Sequence, residues 1–144
     1  MERLNINLIK KALFIFLPLG FVCMFLFMTF FNSEYESPGR ILYFSECASC
    51  HGDHGEGIRN LVPPIRSDYF EANFNKLPCM ILNGLSDSIL VNGVWYNQPM
   101  YPIKLSEVEL SNLMNFLRDT FLNPRNNPEL INSQWIDSKI KVCK

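Results

Sequence analysis

A chain of 144 residues has room for one core of ordinary size and a short appendage, which excludes two full domains. Its 13 basic and 14 acidic side chains nearly cancel, so nothing in the charge points to nucleic acid as a partner. Hydrophobic residues make up 48% of the chain, but a dense block of them precedes position 32, so the average conceals two regions.

The first region is the block itself. From Ala12 to Phe31 the sequence reads ALFIFLPLGFVCMFLFMTFF, twenty residues without a charge. As a helix it would be ~30 Å long and would cross a hydrocarbon core. Pro18 and Gly20 lie inside it, and both are commoner in membrane helices than in soluble ones. Arg3, Lys10 and Lys11 precede the block and Glu34 and Glu36 follow it. The positive-inside rule therefore expects residues 1–11 in the cytoplasm and everything after Phe31 outside. A cleaved signal peptide would have a shorter apolar core followed by a small-residue cleavage site, and this block has neither. Cys23 reads as a small apolar membrane residue. The expected organisation is a cytoplasmic N-terminus at 1–11, a transmembrane anchor at 12–31, a tether at 32–39 and a working domain at 40–144.

The tether, NSEYESPG, is polar and, if extended, reaches up to ~27 Å from the membrane. From Pro38 to about Cys47 a helix is expected, with Pro38 in its first turn and Ile41, Phe44 and neighbouring apolar residues on a buried face. HGDHGEG places three glycines in the six positions after His51 and leads into extended Val62-Pro63-Pro64-Ile65, so no regular structure is expected there. Asp68 to Gly84 should hold one or two short helices, the last closed by Gly84 in the left-handed conformation. ILV-NG-VWY, from Ile89 to Tyr96, is a hairpin signal. Ser106 and Glu109 form a capping box that opens a helix to Thr120 or Phe121, with Leu110, Leu113, Phe116 and Leu117 on one stripe. After the turn-prone NPRNNP, Ser133 can start a last helix in which Ile136, Ile140 and Cys143 share a face. The fold class is therefore all-α with one short hairpin.

Cys47-Ala48-Ser49-Cys50-His51 is the C-x-x-C-H pattern of haem attachment. Two thiols one turn apart can form thioethers with a porphyrin's vinyl groups while the adjacent imidazole ligates the iron. The motif lies on the side of the membrane where topology expects the domain to be. Three other chemistries use similar residues. A thioredoxin-like pair would sit between a strand and a helix, whereas this one follows a helix and runs into glycines. A zinc site would need a fourth ligand from His54, Cys79 or Cys143, with no second C-x-x-C to supply it. A disulfide between Cys47 and Cys50 would close a strained short loop.

The stretch from Gly39 through HGDHGEG to PPI, followed by NQPMYPIKLSEVELSNLMNFL, resembles the class I mono-haem cytochrome c family, in its membrane-anchored bacterial form, over most of residues 38–122. The resemblance implies a small helical domain holding one covalently attached haem c, with His51 as proximal ligand and Met100 in Gln98-Pro99-Met100 as distal ligand. It implies that Gly39 and Tyr43 or Phe44 lie where the first and last helices of the domain cross, against Leu113 and Phe116. It also implies that the carbonyl of Pro63 accepts a hydrogen bond from the other ring nitrogen of His51. The domain would face the periplasm, with membrane redox complexes such as a quinol-oxidising complex and a terminal oxidase as electron donor and acceptor.

The residues themselves also favour Met100. A thioether is a soft, neutral ligand that favours reduced iron. Met1 is terminal, Met24 and Met28 fall in the apolar block, Met114 sits on the capped helix, and Met80 follows Cys79 in an apolar helix as core filler. Met100 lies between prolines and polar residues on a loop, and His54 is the alternative ligand. Trp95, Tyr96, Tyr101, Tyr69 and Phe70 read as core, with one or two of them lining the cofactor. Cys79 and Cys143 either pair in an oxidising compartment, for ~4 kcal/mol of chain-entropy stabilisation at most, or are two separate buried thiols; late cysteines also occur in some members of the resembling family. The expected function is electron transfer, without catalytic residues or a small-molecule substrate. The alternatives are a haem-based sensor or enzyme with an open sixth position, and a thiol–disulfide assembly factor using Cys47 and Cys50.

Overall fold

A computed structural model describes residues 6–31, 36–123 and 130–143, with the side chains of residues 6–9, 12, 30 and 31 outside that set. The expected cytoplasmic residues 1–5, tether residues 32–35 and most of the NPRNNP turn lie outside the described residues. The chain divides into two units, Met1–Tyr35 and Glu36–Lys144.

The first unit contains helix α1, Ile6–Phe31, with Pro18 inside it. Its side chains from Leu13 to Thr29 are all exposed. Among the described residues no helix is long and apolar enough to cross a membrane. Ala12, Phe30 and Phe31 belong to the expected span, and their side chains lie outside the described set.

The second unit is built on a helix crossing. Helix α2, Pro38–Glu46, begins where the Ser37 hydroxyl accepts the Arg40 amide hydrogen and Pro38 fills the first turn. Gly39 is buried because α2 lies directly on helix α6, Glu107–Phe121. A Cβ on Gly39 would sit 2.1 Å from the Asn112 carbonyl oxygen, a clash with backbone that side-chain rotation cannot relieve. Gly39→Ala should therefore cost about 3 kcal/mol of stability, read from chemical denaturation. Tyr43 is fully buried one turn later, its ring 5.4 Å from that of Phe116 and 4.9 Å from that of Phe121. Phe44 turns outward instead, under the Arg40 guanidinium. Of the two aromatics expected at the crossing, Tyr43 takes the place.

Helix α6 starts at the expected capping box, in which the Ser106 hydroxyl accepts the Glu109 amide hydrogen and the Ser106 amide donates to the Glu109 carboxylate. Leu110, Leu113, Met114, Leu117 and Phe121 supply its buried stripe, and Phe116 is half-buried at the edge. Strands β1, Ile89–Val91, and β2, Val94–Tyr96, pair antiparallel in the register Ile89↔Tyr96, Leu90↔Trp95, Val91↔Val94. Asn92 and Gly93 both have positive φ, 51° and 79°, as a two-residue type I′ turn requires. The inner face of the hairpin carries Ile89, Val91, Val94 and Tyr96, whereas Leu90 and Trp95 face out.

Three expectations change in detail. Cys47 lies outside α2 and joins it to a single turn, α3, Ala48–His51. The Asp68–Gly84 stretch folds as α4, Asp68–Ala72, a 3₁₀ turn at Phe74–Lys76, and α5, Leu77–Asn83. Gly84 has φ 73° but ψ −174°, an extended backbone with positive φ rather than the left-handed helical closure expected. The last helix, α7, Ser133–Ile140, is capped by the Asn132 side chain, which accepts the Trp135 amide hydrogen. Ile136 is fully buried, and Cys143 sits just beyond the helix in its closing turn. Cys79 of α5 and Cys143 form a disulfide with their Cα atoms 5.4 Å apart, so of the two sequence alternatives the bridge is the one found.

Candidate functional site

The motif residues follow one another around a turn. The amide hydrogens of Cys50 and His51 both reach back to the Cys47 carbonyl, at N···O distances of 3.1 and 2.9 Å. This spacing puts the two thiols on one side of the turn, with the imidazole following directly. Cys47 is buried and Cys50 is exposed. Tyr43 reinforces the turn from α2, its hydroxyl donating to the Gly52 carbonyl.

A folded-back loop fixes the imidazole. The Gly57 amide donates to the His51 carbonyl at 2.7 Å, and Ile58 pairs with Val62. Gly57 has φ 71°, and a Cβ there would lie 2.3 Å from the Val62 carbonyl oxygen and 2.9 Å from that of Pro63, so only glycine lets the loop close this tightly. The returning chain brings the Pro63 carbonyl oxygen to 3.2 Å from His51 Nδ1. A carbonyl only accepts, so Nδ1 carries the proton and Nε2 keeps its lone pair. Burial pushes the imidazole below the usual histidine range against the opposing effect of the Pro63 bond, so the ring is neutral near pH 7.

A different segment carries Met100. Its amide and carbonyl both pair with Leu85, at 2.8 and 2.9 Å, directly after α5 and Gly84. A Cβ on Gly84 would lie 2.4 Å from the Met100 carbonyl oxygen, so the glycine is what admits this close approach. Three residues on, the Ile103 amide donates to the Ile81 carbonyl of α5 at 2.9 Å. The Met100 segment is thus held by backbone bonds to Leu85, two residues past α5, and, through Ile103, to Ile81 of α5 itself.

His51, Met100, Cys47 and Cys50 all line one cavity of about 300 Å³, a size typical of cofactor sites. Its remaining walls are largely apolar, from Pro63, Ile65, Phe70, Leu77, Met80 and Ile81 among others, and the only charged groups among the described residues of the lining are Glu46 and Asp87. Met80, expected as core filler, is half-buried and faces this same cavity. Of the expected aromatics, Phe70, Tyr96 and Tyr101 line it, while Tyr69 and Trp95 do not. His54 is exposed and does not line it either; its amide donates to the Glu56 carboxylate.

The alternative chemistries fare poorly. Burial, with Glu46 and Cys50 adding to it, pushes the Cys47 thiol up to about 11. Thiol–disulfide exchange needs a thiolate near neutral pH, and a reactive C-x-x-C pair has a depressed first thiol. Among the described residues no cluster of three or more His, Cys, Asp or Glu is placed to hold a bare metal ion.

Residues 37–121 match the family model for cytochrome c. The chain belongs to the cytochrome c family. As a family member it carries covalently attached haem c, its domain supports haem-based electron transfer, and redox proteins are its general class of partner. The match stops at residue 121, so α7 and Cys143 lie beyond it. A search of curated proteins finds no match. The site fits the cofactor: an apolar cavity suits a macrocycle, and its donors are two thiols one turn apart, a neutral imidazole with one nitrogen free, and thioether sulfurs.

Several residues that shape the site had no sequence signal of their own. Gly57 and Gly84 are ordinary turn glycines in the sequence, and their roles depend on backbone brought in from residues 62–63 and 100. The Leu85–Met100 pairing joins two isolated residues rather than two strands, so no alternating pattern announces it.

Proposed function

We propose that the chain is a membrane-tethered mono-haem electron carrier, with thioether attachment at Cys47 and Cys50, His51 and Met100 as axial ligands, and Pro63 orienting His51. The observation that carries this reading is that His51 and Met100 line one apolar cavity together with the two thiols. When bound, the haem supplies an iron that alternates between ferrous and ferric states. The chain's own work is to hold that iron in one coordination. His51 presents Nε2 because Nδ1 is spent on Pro63. Met100 sits on a segment whose backbone is tied to Leu85 and, through Ile103, to Ile81. The apolar lining keeps water away from both ligands. Two fixed ligands of unchanged geometry suit a carrier rather than an enzyme, because little has to move when an electron arrives and no site is left for a substrate.

The tether and anchor complete the proposal. Helix α1 has 26 residues and includes the whole of the uncharged apolar block, with its described apolar side chains exposed. The flanking charges support a reading with the N-terminus in the cytoplasm and the haem domain on the periplasmic side of a bacterial cytoplasmic membrane. Donor and acceptor are then membrane redox complexes reached by diffusion in two dimensions. The test is exposure of the ferrous full-length protein to carbon monoxide at neutral pH. A saturated carrier leaves its spectrum unchanged, and ready binding would favour a sensor or enzyme with an open sixth position.

A further inference from the structure

Residues 130–143 lie outside the family match, yet they are built into the core. Ile131 is buried and exchanges two hydrogen bonds with the Asn115 side chain of α6, at 2.7 and 3.2 Å. Ile136 is fully buried, and the Trp135 ring lies 5.9 Å from that of Phe74, just before α5. The end of this segment is bonded through Cys143 to Cys79 of α5. Helix α5 has only seven residues, too few to be stable in isolation. It nonetheless carries the attachment points of the Met100 segment: the Ile81 carbonyl takes the Ile103 amide, and Leu85, two residues past the helix, pairs both ways with Met100.

We propose that the Cys79–Cys143 bond makes the C-terminal segment a strap on α5, and that Cys79 and Cys143 are positioning residues for the Met100 segment. The mechanical path is short. The disulfide fixes α5 from outside, at a residue adjacent to Met80 on the cavity wall. Fixed α5 presents Ile81 and Leu85 at set positions, and three backbone bonds transmit that placement to the Met100 backbone and to Ile103 three residues on. His51 hangs from a different set of bonds, through Cys47, Gly57 and Pro63, none of which touches α5. Cutting the strap should therefore loosen the Met100 side of the site and leave the His51 side alone. The proposal rests on the reading of Met100 as a ligand only for its consequence at iron; the loosening itself does not depend on it.

The experiment is amide hydrogen exchange on the haem-loaded full chain, comparing the intact protein with Cys79→Ser/Cys143→Ser. The expected result is exchange at Leu85, Met100 and Ile103 faster by at least about tenfold, with Gly57 and His51 unchanged. If the double variant does not accumulate, the same comparison is made on folded wild-type protein after phosphine reduction and thiol alkylation. A uniform rise at both sets of amides, or no rise at Leu85, Met100 and Ile103, would overturn the proposal. A second readout is the ferric absorption band of methionine sulfur on iron, expected to be lost at lower pH and temperature when the strap is cut. If that band is absent even in the intact protein, the ligand reading fails while the exchange result still decides the strap.

Discussion

Met100→Ala should lower the midpoint potential by on the order of 100 mV or more, abolish the ferric methionine band and open the ferrous iron to carbon monoxide. A neutral, polarisable thioether stabilises ferrous over ferric iron, and the water that would replace it does the reverse. The variant is a clean probe because Met100 is held by its backbone. Both of its bonds to Leu85 use main-chain atoms and survive the loss of the side chain, as does the bond from Ile103 to Ile81. The fold should persist and the effect should be confined to the sixth position. Met80 provides the internal control, since it faces the same cavity from α5. Met80→Ala should keep the band and most of the potential. If the two variants exchanged their phenotypes, Met80 would be the ligand and Met100 the filler.

The second large effect concerns attachment. In Cys47→Ser/Cys50→Ser the haem should be lost to acidified organic solvent, whereas the wild-type protein should retain all of it under the same extraction. His51 and its bond to Pro63 remain in the double variant, so some haem can still enter the cavity and give colour. Colour is therefore a poor reporter, and the covalent mass is the decisive one. Each single variant should keep one thioether. Cys47 is the more constrained position because it is buried at the junction of α2 and α3, while Cys50 is exposed at the cavity lip. Cys47→Ser should accordingly give the lower yield of holoprotein.

Much of this architecture was readable in the residues. The capping box at Ser106 and Glu109, the Asn-Gly hairpin and the C-x-x-C-H turn are local, each defined by residues within a few positions of one another. Local signals survive folding because their own hydrogen bonds enforce them. What could not be read depends on chain brought in from elsewhere. Tyr43 and Phe44 are adjacent and both aromatic, and only the approach of α6 at Gly39 decides which is buried. Met80 looked like filler because its helix is apolar, but an apolar helix that walls a cofactor cavity has the same pattern as one that walls a core. Gly84 ends its helix as its position in the sequence implies, yet its extended ψ accompanies the pairing of Leu85 with Met100, fifteen residues farther along the chain. For Cys79 and Cys143, 64 positions apart, the residues are compatible with a pair or with two separate thiols, because sequence separation alone carries no distance.

The most direct test is the intact mass of the full-length protein made alongside a working haem-attachment apparatus, read together with its pyridine haemochrome. One haem added to the polypeptide, with the proteolytic fragment that contains residues 47–51 carrying the increment and a haemochrome band shifted by two saturated vinyl groups, is the result expected here. An unmodified polypeptide with Cys47 and Cys50 recovered as free thiols would contradict it.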